Sequence, residues 1–291
     1  MINAAPRPEG PELEGDSSPV RLLRFEAGKA TFQDDMLATE EALEIHVAGT
    51  APVITMRTPG HDLELAAGLL LSEGLVQHRN DIAVLEPVTG AANAVGVLLK
   101  SFTDSKAALL RRSSLSNSAC GVCGKDKLNL EPMHSLPPLP AGPLVSPELL
   151  YRLPQKLRAA QGIFEHTGGL HAAALFDANG DLQAVREDVG RHNAMDKLNG
   201  WALLNDRLPL YDHIVLLSGR ASFELLQKCI MARVPIVCAI SAPSSYAVRL
   251  AREFGVTLVG FLRGERFNVY SAPERIVDSN DEARAAGIAS T

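Results

Sequence analysis

Long apolar runs separated by short polar turns mark the second half of the chain. The runs HIVLL, IVCAI and VTLVGFL alternate with two segments of helical periodicity, in the order strand, turn, helix, strand, turn, helix, strand. Continuous apolar runs are typical of parallel strands that are covered on both faces. Upstream, LHAAALFDANGDLQAVRED has two apolar runs around Asn179 and Gly180, which predicts an antiparallel hairpin. We therefore expect an α/β fold whose larger part, about 146–271, has three layers (α/β/α) and a mostly parallel sheet that this hairpin extends.

The first half of the chain has shorter segments in which apolar and polar positions alternate. VRLLRFE, DIAVLEPV and AVGVLLK each predict one strand, and EEALEIHVAGTAPVITMR predicts a hairpin. Between them, HDLELAAGLLLSEGLV has the broad apolar face of a helix, with Gly74 near its end. Residues 20–112 are therefore predicted to form a small α+β domain.

A segment without either periodicity separates the two predicted domains. Residues 131–147 contain six prolines, and no regular element tolerates that density. We assign 113–145 to a CxxC loop and a proline-rich linker, followed by a helix that a Ser-Pro-Glu triplet starts. The terminal segments, 1–19 and 272–291, are predicted to be tails, the first of them acidic and disordered.

The charge and the cysteine content of the chain exclude several classes of protein. The formal net charge is −6, and most of it comes from the two terminal segments, so the remainder lacks the basic surface of a nucleic-acid-binding protein. No apolar run has the roughly 20 residues that span a bilayer, and residues 1–19 lack the basic and then apolar pattern of a secretory signal. Four cysteines do not make a disulfide framework in a chain of this length. We expect a cytoplasmic protein without a nucleic-acid or membrane partner.

Both strand-to-helix turns of the predicted parallel sheet are small and rich in hydroxyl groups. One contains Ser218, Gly219 and Arg220, and the other starts at Ser241. Ligands of open α/β sheets bind beyond the carboxyl ends of the strands, where helix N-termini present free amides. For either turn alone, helix capping by its serines is the favoured explanation, but the two turns side by side make a phosphate or nucleotide site an equal alternative. Neither turn is a Walker loop or a GxGxxG motif, so ATP hydrolysis and hydride transfer gain no support.

A second dense cluster of polar residues is REDVGRHNAMDKLNGW. It predicts a helix whose first turn contains Arg191 and His192. Because a cation in the first turn opposes the helix dipole, Arg191 is predicted to contact an anion, the alternative being a surface salt bridge with Glu187. His192 alone is more typical of a structural histidine than of a catalyst, and the same holds for His171 at a strand start.

The four cysteines fall into two pairs. Cys229 and Cys238 lie in apolar segments and are predicted to be buried and inert, whereas Cys120 and Cys123 form the motif CGVCG. A structural zinc would need two more ligands, and only His134 is near. A thioredoxin-type dithiol opens a helix directly after a strand, which this segment does not. A nucleophilic thiolate on a mobile loop, flanked by glycines and lysines, is the third interpretation. The residues alone leave zinc binding, dithiol exchange and sulfur transfer open.

Six segments, in this order, resemble the FdhD family, the sulfur-carrier accessory proteins of formate dehydrogenases: SACGVCGK, TGGLHAAAL, REDVGRHNAMDKL, SGRASFELLQK, ISAPSSYAV and GVTLVGFLRGERFNVY. The similarity spans about 20–271. It implies a cytidine-deaminase-like fold for the larger domain, without the deaminase zinc and with no permanent metal. It also implies that Cys120 carries a persulfide, with Cys123 as its auxiliary. One stretch is implied to bind the cofactor: Phe261, Leu262, Arg263, Gly264, Glu265 and Arg266.

The same resemblance implies a reaction and a set of partners. Sulfur would come from a cysteine desulfurase and pass through the persulfide to the molybdenum (or tungsten) bis-guanine-dinucleotide cofactor, which then enters formate dehydrogenase. In this reaction the cofactor is cargo rather than a permanent part of the protein. Because it is polyanionic, it suits four arginines: Arg191, Arg220, Arg263 and Arg266. The resemblance also implies a homodimer. Two other functions stay open: a chaperone that binds the cofactor without catalysis, and a zinc or disulfide redox regulator.

Overall fold

The computed structural model of the protein describes residues 15–103 and 130–277, so Cys120 and Cys123 lie outside the described residues. Its strands are β1 Ser17–Glu26, β2 Lys29–Ala38, β3 Glu41–Val47, β4 Val53–Arg57, β5 Ile82–Pro87, β6 Ala94–Leu99, β7 His171–Asp177, β8 Leu182–Asp188, β9 His213–Leu217, β10 Ile236–Ala239, β11 Thr257–Arg263 and β12 Arg266–Ser271. Its helices are α1 Asp62–Ser72, α2 Glu131–His134, α3 Pro147–Ala160, α4 Gly162–Thr167, α5 Arg191–Leu204, α6 Phe223–Met231 and α7 Ser245–Glu253.

Six strands form the larger sheet, in the order β12-β11-β10-β9-β7-β8. The strands β9, β10 and β11 are parallel and are connected through α6 and α7. The predicted hairpin is present as β7 and β8, and it extends the sheet by antiparallel pairing with β9. The prediction of a mostly parallel sheet is wrong, because the chain turns back after β11 and adds an antiparallel β12 that the sequence did not reveal.

Helices cover both faces of this sheet and make it the middle layer of three. Along β9, Ile214 and Leu216 belong to the apolar core beneath α3, while Val215 and Leu217 belong to the core beneath α5, α6 and α7. This alternation follows from the two-residue period of a strand. Helix α3 begins as predicted, because the Ser146 hydroxyl accepts a hydrogen bond from the first turn. The three-layer α/β/α arrangement is confirmed.

The first part of the chain forms two smaller sheets. Strands β4-β3-β6-β5 form a four-stranded sheet that packs against α1, and β1 and β2 form a separate hairpin. The strand β2 was not predicted. Strand β1 starts at Ser17, which pairs with Ala38 across the hairpin, so residues 17–19 are strand. Their assignment to a disordered tail was wrong.

The described part of the proline-rich segment, 130–145, is bound to the larger domain. Met133 is buried in the core of that domain. The Arg233 guanidinium donates hydrogen bonds to the carbonyl oxygens of Pro137 and Pro138. Prolines lack a backbone donor but keep the carbonyl acceptor, so an arginine from the domain can hold Pro137 and Pro138, which belong to neither helix nor strand. The short helix α2 lies in the same segment and contradicts the expectation that no regular element forms there.

Residues 272–277, predicted as part of a tail, also belong to the folded domain. Arg275 is buried and donates to the carbonyl oxygens of Gly255 and Pro140, each at 2.8 Å. Ile276 pairs in a parallel bridge with Val145. The tail assignment is therefore wrong for these six residues.

The two domains meet where α1 crosses α5. A Cβ atom on Gly68 would lie 1.8 Å from the carbonyl oxygen of Asp196, and one on Gly200 would lie 1.8 Å from the carbonyl oxygen of Glu64. No side chain fits at either position, and the two helix backbones touch. Glycine is therefore required at both positions by close packing rather than by its backbone angles.

Buried polar groups beside this crossing join the domains further. Lys197 extends its ammonium group to Asp188 and to the carbonyl oxygen of Thr58, each at 2.8 Å. Asp196 accepts a hydrogen bond from Ser72 at 2.6 Å and pairs with Lys228 at 2.7 Å. Each buried charge has an opposite charge and hydrogen bonds, which is the condition for burying charges without a large penalty.

A salt bridge at the rim of the crossing connects Glu64 of α1 with Arg186 of β8. The guanidinium binds the carboxylate through Nε at 2.5 Å and Nη2 at 2.8 Å. Burial raises the pKa of Glu64, but the hydrogen bonds and charges of Arg186 and His61 outweigh it and lower the pKa to about 2. Within the described residues, no helix has the length and apolar character needed to cross a membrane.

We predict that Gly68→Ala and Gly200→Ala each lower the free energy of unfolding by on the order of 3 kcal/mol, because the added methyl group forces two helix backbones apart. Urea denaturation measures this loss. Gly162→Ala is the matched control, since a Cβ atom there meets nothing within 4 Å. A Gly68→Ala protein as stable as this control would contradict the close contact.

We further predict that Glu64→Gln removes a stabilisation on the order of 3 kcal/mol at neutral pH. The carboxyl pKa is about 2 in the folded protein against 4.5 as the ordinary value. The wild-type protein therefore keeps this contribution above about pH 4.5 and loses it as the pH falls toward about 2. Unfolding measured across that range should show a smaller pH dependence for Glu64→Gln, whereas the exposed Glu165→Gln should match the wild type.

Candidate functional site

The three parallel strands end at one edge of the larger sheet, and this edge carries the candidate site. The turn after β9 contains Ser218 and Arg220, the turn after β10 begins near Ser241, and β11 ends near Arg263. Because β7 is antiparallel to β9, its first residue, His171, lies at the same edge. The fold thus brings together both predicted turns and the predicted cofactor-binding stretch.

Backbone hydrogen bonds hold these strand ends together. The Ile240 N–H donates to the Leu217 carbonyl at 3.1 Å, and the Ser241 N–H donates to the Gly219 carbonyl at 3.3 Å. The Phe261 N–H donates in turn to the Ser241 carbonyl at 3.1 Å. The sheet therefore continues past its regular strands, and the turns form one connected surface.

Phe261 has a backbone conformation that is unusual for its residue type. Its φ angle is +55°, in the left-handed region, and its side chain is 38% exposed. It lies in an irregular part of the β11–β12 ladder, after Gly260, where a Cβ atom would be 2.9 Å from Pro243 and from Tyr270. A left-handed non-glycine residue costs roughly 1–2 kcal/mol, and such conformations concentrate at functional sites. The strain points to a role for Phe261 at this edge.

The other residues of the predicted cofactor-binding stretch occupy different places. Arg263 donates from Nε to the Ile240 carbonyl at 2.9 Å and so lies against the second turn. Leu262 is fully buried in the core beneath α3, so its side chain does not face the edge. The remaining residues are exposed. Gly264 and Glu265 form the β11–β12 turn, and Arg266 is the first residue of β12.

The N-termini of α5 and α6 bring a buried histidine and a buried carboxylate together. His192 lies in the first turn of α5, and its Nε2 atom is 2.8 Å from Oε2 of Glu224 in the first turn of α6. Helix α5 begins after Gly190, whose N–H donates to Asp188 at 2.8 Å. Glu224 was missed by sequence reasoning, because no local motif pairs it with a histidine on another helix.

His171 lies in a positively charged part of the edge. Burial lowers its pKa below the ordinary value of 6.5, and the charges of Arg191, His192 and Arg220 lower it further, against the opposing charge of Asp188. The imidazole is therefore neutral at physiological pH. Sequence reasoning assigned His171 no function, although the two glycines shortly before it, Gly168 and Gly169, are residues that let a ligand approach the backbone closely.

A cleft of about 560 Å³ opens beside His171, between the edge of the sheet and helices α3 and α4. Its wall includes Ser218 and Ile240 from the strand ends. On the opposite side, the Arg158 guanidinium lies over the Phe164 ring, 4.6 Å from its centroid. The cleft therefore combines an aromatic ring, a cation and the strand-end hydroxyl group of Ser218, which suits a ligand with both rings and charges.

Cys229 and Cys238 are fully buried, and burial raises the pKa of both thiols. The prediction that they are buried is confirmed, and neither thiol is poised to form a thiolate. His134, the one histidine near the CxxC motif in sequence, pairs instead with Glu253 at 2.7 Å. Over 15–103 and 130–277, no three side chains of His, Cys, Asp or Glu cluster as metal ligands.

The fold and the site together define a class, α/β proteins with a strand-end cleft that suits an anionic, ring-bearing ligand. The chain belongs to the FdhD/NarQ family, whose model matches residues 38–277. It is 46% identical over 264 residues to the sulfur carrier protein FdhD of Mycolicibacterium paratuberculosis, covering 88% of this chain and 97% of the relative. It is 40% identical over 257 residues to the protein of the same name from Sulfolobus acidocaldarius, covering 88% and 97%.

A solved structure shares the fold over almost the whole chain. The crystal structure described as a formate dehydrogenase accessory protein from Desulfotalea psychrophila superposes with a TM-score of 0.73 at 25% sequence identity. The match covers 90% of this chain and 100% of that one.

We predict that Phe261→Gly is more stable than Phe261→Ala by about 1 kcal/mol, because both variants lose the ring but only alanine retains the strain of a left-handed φ. Thermal or urea unfolding of the two variants measures the difference. Equal stabilities would show that residue 261 does not hold this conformation in solution.

Proposed function

We propose that the protein is a sulfur carrier that accepts persulfide sulfur on Cys120 from a cysteine desulfurase and transfers it to a molybdenum (or tungsten) bis-guanine-dinucleotide cofactor for formate dehydrogenase. The observation that carries this proposal is the identity of 40–47% with sulfur carrier proteins over most of the chain. The description of the solved relative as a formate dehydrogenase accessory protein supports the destination of the sulfur.

Binding of the cofactor is supported by the charges and shape of the strand-end edge. The cofactor is large and polyanionic, and its phosphates would be held by arginines and by the free amides at the starts of α5 and α6. We assign phosphate contacts to Arg191, Arg220 and Arg263, with the exposed ring of Phe261 beside them. The hydroxyl groups of Ser218 and Ser241 are the neutral donors in this assignment.

The other residues that we assign to cofactor binding would act in different ways. The backbone of Gly219 lies next to the cleft without a side chain in the way. Glu265 and Arg266 would contact parts of the cofactor that reach beyond the β11–β12 turn. His192 supports the site from beneath through its pair with Glu224.

The sulfur transfer balances without an external oxidant. The Cys120 thiolate attacks the terminal sulfur of the desulfurase persulfide, a new S–S bond forms, and the desulfurase thiolate leaves. In the second step the Cys123 thiolate attacks Sγ of Cys120, and the terminal sulfur leaves with the bonding electrons as hydrosulfide. The two cysteines are oxidised to a disulfide, and the transferred sulfur is reduced to the level of sulfide.

The proposal also includes the setting in which the protein works. A persulfide carrier that ends each cycle as a disulfide needs thiol reductants, which the cytoplasm supplies. A homodimer would present two symmetry-related sites, one for each guanine dinucleotide of the cofactor. The partners are then the desulfurase, the cofactor and the formate dehydrogenase that receives it.

A cofactor chaperone is the second candidate function, and the cleft favours it because binding there does not require a cysteine. The chaperone and the sulfur carrier differ in which residues they require. A chaperone tolerates Cys120→Ala and loses function with Arg220→Ala, whereas a sulfur carrier loses function with either substitution.

We predict that incubation with a cysteine desulfurase and cysteine adds one sulfur atom to the peptide that contains Cys120, as measured by mass spectrometry. Cys120→Ala should abolish both this addition and the activation of formate dehydrogenase. Arg220→Ala should still load sulfur but activate formate dehydrogenase about tenfold or more less well, since a lost charged hydrogen bond costs about 1.5–3 kcal/mol.

Cys229→Ala serves as the control, because this buried thiol should take up no sulfur. Sulfur found on other peptides, with the Cys120 peptide unmodified, would exclude the carrier function. Retained activation by Cys120→Ala would favour the chaperone. Stoichiometric zinc in the purified protein, lost in Cys120→Ala, would favour the redox regulator.

A further inference from the structure

Helix α6 ends at a position where glycine is the usual residue, and this chain has an arginine there. The Val234 N–H donates to the Cys229 carbonyl at 3.0 Å, and the Arg233 N–H donates to the Ile230 carbonyl at 2.9 Å. These two hydrogen bonds define a Schellman motif, whose left-handed residue is most often glycine. Arg233 occupies that position with a φ angle of +67°. The left-handed conformation is unfavourable for a residue with a side chain, and such strain is concentrated at functional sites.

The Arg233 side chain is buried, and its charge is not balanced by a carboxylate. The residue is 7% exposed, and its guanidinium lies 5.4 Å from the centroid of the Tyr211 ring. Within the described residues, Nη2 is the guanidinium nitrogen that forms hydrogen bonds, to the carbonyl oxygens of Pro137 and Pro138. Nε is buried without a hydrogen-bond partner.

The other buried arginines of this kind have a carboxylate partner. The guanidinium groups of Arg57 and Arg186 pair with Asp62 and Glu64, whereas no carboxylate of the described ranges 15–103 and 130–277 forms an ion pair with Arg233. A buried charge without an opposite charge is unfavourable. The Arg233 guanidinium is therefore suited to an anion that comes from outside the chain.

This guanidinium lines a cavity of about 210 Å³, which we call the junction cavity. It lies just before β9 and β10 begin, at the opposite end of these strands from the candidate site. Among the described residues of its wall, Arg233 has the one permanent charge. Most of the wall is apolar and comes from the small domain, the proline-rich segment and the larger domain: Leu71, Leu136, Leu208, Tyr211 and Met231.

We propose that the junction cavity binds a small organic carboxylate with an apolar body. A guanidinium matches the planar geometry of a carboxylate, and one cation in an apolar wall balances one negative charge. A multiply charged ligand would leave charge buried without a partner. An engineered apolar cavity of about 150 Å³ holds benzene, so the junction cavity has room for a ring or a short chain together with the carboxylate.

A ligand in this cavity contacts both domains and the proline-rich segment at once. Because such a ligand binds the folded protein and not the unfolded chain, it stabilises the fold as its concentration rises above its Kd. The inference goes beyond the proposed function and does not depend on sulfur transfer, since the cavity and the candidate site lie at opposite ends of the parallel strands.

The test is isothermal titration calorimetry of the full-length protein with benzoate and with hexanoate as probes. Benzamide has the same ring without the charge, and inorganic phosphate has the charge without an apolar body. The wild type is compared with Arg233→Gln and with Arg249→Gln as the matched control. Arg249 is an exposed arginine of α7 whose guanidinium also lies near an aromatic ring, 4.4 Å from the centroid of Tyr246.

We expect at least one of the two carboxylates to bind the wild type and Arg249→Gln at one molecule per chain, with a Kd of about 1 mM or lower, and to raise the melting temperature of both. Benzamide and phosphate should bind about tenfold or more weakly. Arg233→Gln should weaken carboxylate binding by about tenfold or more, as expected for a lost hydrogen bond to a charged group, and should leave benzamide binding unchanged.

A second variant separates binding from folding. Arg233→Gly places the favoured residue in the left-handed position, so it should fold and still lose carboxylate binding. Guanosine diphosphate, the part of the proposed cofactor that we assign to the strand-end edge, should not compete with the carboxylate, and Arg220→Ala should bind it normally.

Three results would overturn the proposal: no binding of either carboxylate to the wild type, equal binding by a folded Arg233→Gly, or displacement of the carboxylate by guanosine diphosphate. The proposed function is judged by a different measurement, the sulfur that a desulfurase adds to the Cys120 peptide. A wild type that binds the carboxylate but takes up no sulfur defeats only the sulfur carrier, and a wild type that loads sulfur but binds no carboxylate defeats only the junction cavity.

Discussion

Two helices that belong to different domains touch backbone to backbone at Gly68 and Gly200, and the rest of the structure depends on this contact. Helix α5 covers one face of the six-stranded sheet with one side and receives α1 with the other. It is therefore buried almost all round, which explains why its sequence lacks a clear amphipathic period. A side chain larger than hydrogen at either glycine would separate the two sheets.

The polar groups along α5 are buried because the helix lies between two domains and binds groups in both. Lys197 and Asp196 are charged residues in a helix that is otherwise packed, and each reaches across to the small domain: Lys197 to Thr58, and Asp196 to Ser72. The same helix presents Arg191 and His192 at its N-terminus. Fixing α5 from both sides therefore also fixes the orientation of the charges at the strand-end edge.

The sequence was most informative where local chemistry decides structure. Apolar runs predicted β9, β10 and β11, and the Ser-Pro-Glu start of α3 was confirmed by its capping bond. The two hydroxyl-rich turns were expected at one edge because parallel strands require it, and the structure brings them within hydrogen-bonding distance.

What the sequence could not reveal depends on contacts between distant segments. The β12 strand has exposed apolar and polar residues in no clear order, so only its pairing with β11 defines it. The pair of His192 with Glu224 and the cation-rich surroundings of His171 arise from helices that meet only in the folded chain. Leu262 stands among exposed neighbours in sequence, and only the irregular ladder after Gly260 shows why its side chain turns into the core.

The position of α5 also governs how this protein is made. Thr58 and Lys197 are 139 residues apart in the chain, so the small domain leaves the ribosome long before the helix that completes its packing. At about 5–20 residues per second, the apolar outer side of α1 stays uncovered for on the order of ten seconds of synthesis. During that interval the nascent chain presents a surface that holding chaperones recognise, and a truncated gene product that ends before residue 191 would present it permanently.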